Sequence, residues 1–154
     1  MIAVDTNLLV YAHREDADWH GEALPVLVRL AEGGKRWGIP WPCVHEFFAI
    51  TTHPAIYAPP TPLPVALQAM EVWLTSPFCR ALGEGPDYFA ELKRLVLQGK
   101  VRGPMIHDAR VAAICLQNGV TELWSADRDF SRFGALKVVN PLVRRPKRRG
   151  WARP

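Results

Sequence analysis

Cysteine is scarce in this sequence, and the spacing of the three present excludes more than their number does. Cys43, Cys79 and Cys115 lie far apart with no Cys-x-x-Cys pair, so neither a zinc site nor a disulfide framework is written here. No run approaches the roughly 18 uninterrupted apolar residues of a membrane span, and no basic segment precedes a long apolar one at the N-terminus. A cytoplasmic protein with reduced thiols and no membrane contact is the expectation. Acidic residues are absent from the last eleven positions, which hold six of the 19 basic residues: Arg144, Arg145, Lys147, Arg148, Arg149 and Arg153. The remainder keeps 13 basic residues against 15 acidic ones, a body near −2 inside a chain of net charge +4. The basicity belongs to a tail.

What is present suffices for one domain. A chain of 154 residues with 49% hydrophobic content can bury a full core unaided. It opens on the short apolar run Ile2-Ala3-Val4, the pattern of a strand buried on both faces, which stops at Asp5-Thr6-Asn7. Asp, Thr and Asn favour helix starts, and Leu8, Leu9 and Ala12 follow at helical spacing. Asp5 therefore either caps that helix or is a carboxylate delivered to the ligand-binding edge of an α/β sheet.

Further along, residues 19–32 carry a helical period despite Pro25, and Gly33-Gly34 ends it. Residues 37–41 read as a strand, 43–52 as a helix, 64–74 as a helix, 79–82 as a weak strand and 86–97 as an amphipathic helix. Between 53 and 64 lie five prolines, so that connection is irregular and is expected to wrap an edge or cover a site. Residues 104–117 form the clearest helix, stopped by Asn118-Gly119; strands follow at 120–124 and 136–139. Short apolar strands alternating with helices predict a parallel sheet covered on both faces. Trp19, Trp37, Trp41, Trp73 and Trp124 are assigned to core or interface because most lie within apolar patterns, and Phe47 and Phe48 to core and groove.

Four strand-to-helix or loop-to-helix junctions carry acid: Asp5, Glu46, Asp108, and the pair Asp127 and Asp129. One such acid is explained by the helix dipole, worth about 0.3 to 1 kcal/mol. Four junctions are not so easily explained, because a parallel sheet gathers these positions on one edge. Clustered carboxylates raise one another's pKa unless cations sit among them, and a hard divalent ion with oxygen ligands, Mg²⁺ or Mn²⁺, fits.

In order, Asp5-Thr6-Asn7-x-Leu9-x-Tyr11, the acid in Pro42-Cys43-Val44-His45-Glu46-Phe47, His107-Asp108-Ala109-Arg110-Val111-Ala112-Ala113, and Leu123 to Phe130 resemble the PIN-domain ribonucleases, above all the VapC toxins of prokaryotic toxin–antitoxin pairs. The resemblance runs from Met1 to about Pro141. It implies a three-layer α/β/α domain over residues 1–143 with a central, mainly parallel sheet, followed by the basic tail 144–154. It implies Mg²⁺- or Mn²⁺-dependent hydrolysis of RNA by Asp5, Glu46, Asp108 and Asp127. Asp5, Asp108 and Asp127 would be metal ligands, with Asp129 as an alternative ligand or a support, and Thr6, Asn7 and Ser125 would hold the carboxylates. An antitoxin segment docked on aromatic-rich helices and a homodimer are the implied partners.

The tail residues Arg144, Arg145, Lys147, Arg148 and Arg149 suit an arm that holds RNA or a solvated end. His107, beside Asp108, is assigned to capping or support in preference to general-base work. Two other functions compete. A phosphatase using Asp127-Arg128-Asp129 as nucleophile motif would place that pair after its first strand, whereas here it follows a late one. A non-catalytic binding module would tolerate an incomplete acid set, and this set is complete.

Overall fold

The computed structural model describes residues 1–143; the arm expected at 144–154 lies outside the described residues. Strand β1 (Ile2–Val4) is central, with Ala3 and Val4 buried. It feeds helices α1 (Thr6–His13) and α2 (His20–Glu32), which lead to β2 (Trp37–Pro40) beside it, Ile2 opposite Trp37. Helices α3 (Trp41–Thr51) and α4 (Leu63–Leu74) carry the chain on to β3 (Cys79–Leu82) at the edge. Then α5 (Tyr88–Gln98) and α6 (Ile106–Gln117) return it across the sheet to β4 (Glu122–Trp124) on the other flank of β1, and β5 (Lys137–Val139) completes that side.

Among the described residues the strand order is β3-β2-β1-β4-β5 and every pairing is parallel. Crossovers between parallel strands are right-handed, so the outward connections put α1 to α4 on one face and the returning one puts α5 and α6 on the other. Packing agrees: α1 lies against α2 and α3, α3 against α4, and α5 against α6. The result is the expected three-layer α/β/α arrangement. Its chain reverses direction between β1 and β4, and such a reversal opens a crevice at the C-terminal ends of the strands.

Local sequence explains the junctions. β2 passes into α3 without a linker because Pro40 sits at the cap in an extended conformation (φ −61°, ψ 136°) and Pro42 lies within the first turn, where neither needs an N–H. Gly38 lets β3 approach, since a Cβ there would stand 2.8 Å from the Leu82 side chain. Gly119, at φ +69°, ends α6.

Helix starts differ from the sequence expectation by one or two residues: α3 begins two residues early at Trp41, α4 one early at Leu63 and α5 two late at Tyr88. The second helix begins at His20, one residue late. Around Pro104 the chain makes a separate 3-10 turn, Gly103–Met105, because Gly103 takes φ +55°, outside helical geometry. Trp37 is buried, but Trp19 and Trp41 are 43% and 42% exposed; both stand at helix starts on the rim and do not belong to the core. Phe47 is buried and Phe48 half-buried, the split expected of them. Among the described residues no helix is long and apolar enough to cross a membrane.

Candidate active site

The Asp5 backbone N–H donates to the Trp124 carbonyl oxygen at 3.0 Å, locking the end of β1 to the end of β4. Asp5 occupies the N-cap position of α1, yet its side chain makes no capping hydrogen bond. The carboxylate turns instead toward the β4 end, where Oδ2 accepts from Ser125 Oγ at 2.6 Å and from Asn7 Nδ2 at 2.6 Å. Asn7 Nδ2 also donates to Ser125 Oγ at 3.0 Å, and Asn7 Oδ1 accepts from the Ala126 N–H at 3.0 Å. The Asp127 N–H completes the set on Ser125 Oγ at 2.9 Å. Asn7 and Ser125 thereby staple two turns that are 118 residues apart in sequence.

Burial pushes the Asp5 carboxyl up to about 6, against the lowering effect of the Ser125 hydrogen bond and with a further rise from the Glu46 charge. The Cys43 thiol faces Asp5 Oδ1 at 3.7 Å from the first turn of α3. One turn on, Glu46 Oε2 accepts from Thr6 Oγ1 at 2.5 Å. Asp108, in the first turn of α6, is half-buried; its pKa is raised by burial first, then by Asp127 and Asp129, with Arg132 opposing.

Asp5, Glu46, Asp108 and Asp127 line one cleft of about 300 Å³ together with Thr6, Asn7, Tyr57 and Phe130, and among the described residues that lining holds no lysine or arginine. The proline-rich loop supplies Tyr57. Arg14 pins this loop, its guanidinium 4.2 Å over the Tyr57 ring and its Nη1 donating to the Pro59 carbonyl oxygen and Thr61 Oγ1. The loop therefore walls the site, as its irregular sequence suggested.

Asp129 does not line the cleft. Its carboxylate pairs with Arg132 at 3.4 Å, and its backbone N–H donates to Asp127 Oδ1 at 2.8 Å, an Asx turn that aims Asp127. The two acids thus part ways within one turn. Among the described residues no three acid, imidazole or thiol groups are already drawn together as an ion cage; Asp5 and Glu46 are held by their own donors while facing a common space.

A second cavity of about 380 Å³ shares Asp5, Glu46 and Asp108 and adds Pro42, His45, His107 and Arg110. Sequence patterns did not single out Cys43, His45, Tyr57 or Arg110. The available signal was position: Cys43 and His45 flank Glu46 within one helical turn, and Arg110 lies two residues past Asp108.

Comparison with known proteins bears on the family and the fold. A family model described as PIN domain matches residues 2–136. Ribonuclease VapC43 of Mycobacterium tuberculosis is 35% identical over 142 residues, covering 92% of this chain and 96% of that protein. Among solved structures, VapBC2 of Rickettsia felis, bound to a DNA fragment from their promoter, has a TM-score of 0.63 over 91% of this chain and 98% of that one at 18% identity. VapC20 of Mycobacterium tuberculosis, a sarcin-ricin loop cleaving toxin, has a TM-score of 0.63 over 85% and 93% at 18% identity. At those identities the structural likeness speaks to fold.

Proposed function

The chain belongs to the PIN-domain family, and from that premise we propose that it is a VapC-type endoribonuclease, the divalent-metal-dependent toxin of a toxin–antitoxin pair. The observation that carries this reading is the cleft between β1 and β4, where four carboxylates face one space whose lining, among the described residues, holds no cation. An oxygen-only, negatively charged donor set fits Mg²⁺ or Mn²⁺, with Asp5, Asp108 and Asp127 as the residues that would hold the ion. When bound, such an ion makes a water nucleophile available at neutral pH and offsets charge building on the phosphoryl oxygens.

The chain's own groups do the positioning. Ser125 and Asn7 fix the Asp5 carboxylate, and the Asp129 N–H aims Asp127. Thr6 holds Glu46 by Oε2, and Oε1 would orient a water and accept its proton. His107 stands on the neighbouring cavity wall as a support. The partners of this reading are single-stranded RNA, a cognate antitoxin and a second copy of the chain.

Asp108→Asn should abolish cleavage of single-stranded RNA and weaken Mn²⁺ binding by calorimetry, with the circular dichroism melt of a folded protein retained. Cleavage at the parent rate would overturn the assignment. Of Asp127→Asn and Asp129→Asn, the first should lose more Mn²⁺ affinity; the reverse order would move the ligand to Asp129.

A further inference from the structure

Trp41 is the first residue of α3, directly after a strand whose four residues are all buried, yet its own indole is 42% exposed. It stands on the C-terminal edge of the sheet, the same edge that carries the acids. One helical turn on, the His45 ring stacks with it, centroids 6.0 Å apart and planes 29° apart. His45 in turn lines the 380 Å³ cavity that Asp5, Glu46 and Asp108 share with the acidic cleft. The opposite wall of that cavity carries Arg110, whose guanidinium is steadied by Glu84 at 3.0 Å.

The 380 Å³ cavity thus brings the acids it shares with the cleft beside a guanidinium, and the stacked rings stand at its His45 side. A peptide partner would need neither this pairing nor its closeness to the acids, whereas a polynucleotide presents an anionic phosphate and a flat base at every step. Stacking on aromatic side chains is the sequence-tolerant way proteins hold single-stranded bases, and unpaired RNA bases are what such surfaces receive.

We propose that the His45–Trp41 stack is a nucleobase platform, on which one base next to the scissile phosphate of a single-stranded RNA lies while Arg110 meets a neighbouring phosphate. This rests on the nuclease reading above and adds to it the subsite that positions the strand. The exposed ring pair is not a core element, and β2 is already closed by Trp37 and Ile39. Replacing Trp41 therefore removes binding surface without opening the core.

The test uses the full chain and single-stranded RNA oligonucleotides carrying 2-aminopurine at successive positions, bound in an Asp108→Asn background so that the strand stays intact. Quenching should be confined to a position beside the cleavage site and should be relieved by Trp41→Ala. In the otherwise parent enzyme, Trp41→Ala should raise KM by about 5- to 150-fold, the range for loss of one base stack, with kcat changed far less. Trp41→Phe should recover most of the loss, and Mn²⁺ affinity should be unchanged in both variants. His45→Ala should raise KM as well, which keeps the test open if Trp41→Ala fails to fold. A parent chain that cuts RNA while Trp41→Ala and His45→Ala keep its KM and its quenching would overturn the platform alone. A parent chain that leaves RNA intact with both Mg²⁺ and Mn²⁺ would overturn the nuclease reading and the platform together.

Discussion

Asp5 shows how one residue couples site chemistry to stability. Its folded-state pKa of about 6 lies above the ordinary 3.8, so the metal-free folded protein binds this proton more tightly than the unfolded chain. The associated stability is fully present below about pH 4 and is lost as pH rises through about 6, amounting to about 3 kcal/mol at 1.36 kcal/mol per pK unit. Asp5→Asn cannot ionise and should be more stable than the parent by about 1 to 3 kcal/mol at pH 7.5 in chelator, with the difference vanishing below pH 4, by urea denaturation. A variant less stable than the parent at pH 7.5 would mean that the Ser125 and Asn7 hydrogen bonds to the ionised form outweigh its desolvation. The site is thus held at a cost, and a bound cation would remove that cost by neutralising the carboxylates.

At the scale of elements, helices were legible because their apolar period and stop signals agree, as in α6 with Gly119 behind it. Strand ends were trimmed by one or two residues, since pairing with a neighbour defines them and the neighbour is remote in sequence. Helix α2 keeps Pro25 in its interior, which forfeits a backbone hydrogen bond, and also holds Gly21 in its first turn. Gly21 is exposed, has no left-handed backbone, and a Cβ there meets nothing within 4 Å. Gly21→Ala should therefore stabilise the chain by about 0.4 to 1 kcal/mol, mainly by restricting the unfolded state. Equal midpoints of chemical denaturation for the two proteins would show that the first turn of α2 is frayed.

For the whole molecule, charge sets the problem: on the nuclease reading proposed above an acidic cleft must take a polyanion, and the body without its tail is near −2. The tail from Arg144 onward carries six positive charges, and three to six phosphate contacts would contribute roughly −2 to −4 to the slope of log K against log salt at about −0.7 per contact. Truncation after Val143 should weaken RNA binding and flatten that slope by this amount, leaving turnover at saturating RNA largely intact because no acid of the cleft is removed. An unchanged slope would assign the tail to solvent or to another interface. The exposed apolar residues Leu63, Val65, Leu67 and Val72 make α4 apolar on more than its packed side, the pattern of a helix that meets a further surface; it is the place to look for the proposed antitoxin or the proposed second copy.

The sequence by itself determined the element types, the parallel α/β class and the junctions at which acids fall, because periodicity, caps and breakers act within a few residues. It also grouped Asp5, Glu46, Asp108 and the pair Asp127 and Asp129 as one candidate set, through their order. It left Asp127 and Asp129 undivided, since both are turn acids; the Asx turn and the pairing with Arg132 separate them geometrically. It assigned Trp41 to core or interface, because an aromatic in an apolar run looks the same whether buried or on the rim. Only the tertiary structure decided those cases, together with the Asn7–Ser125 staple, because each depends on which strand ends become neighbours when the chain reverses between β1 and β4.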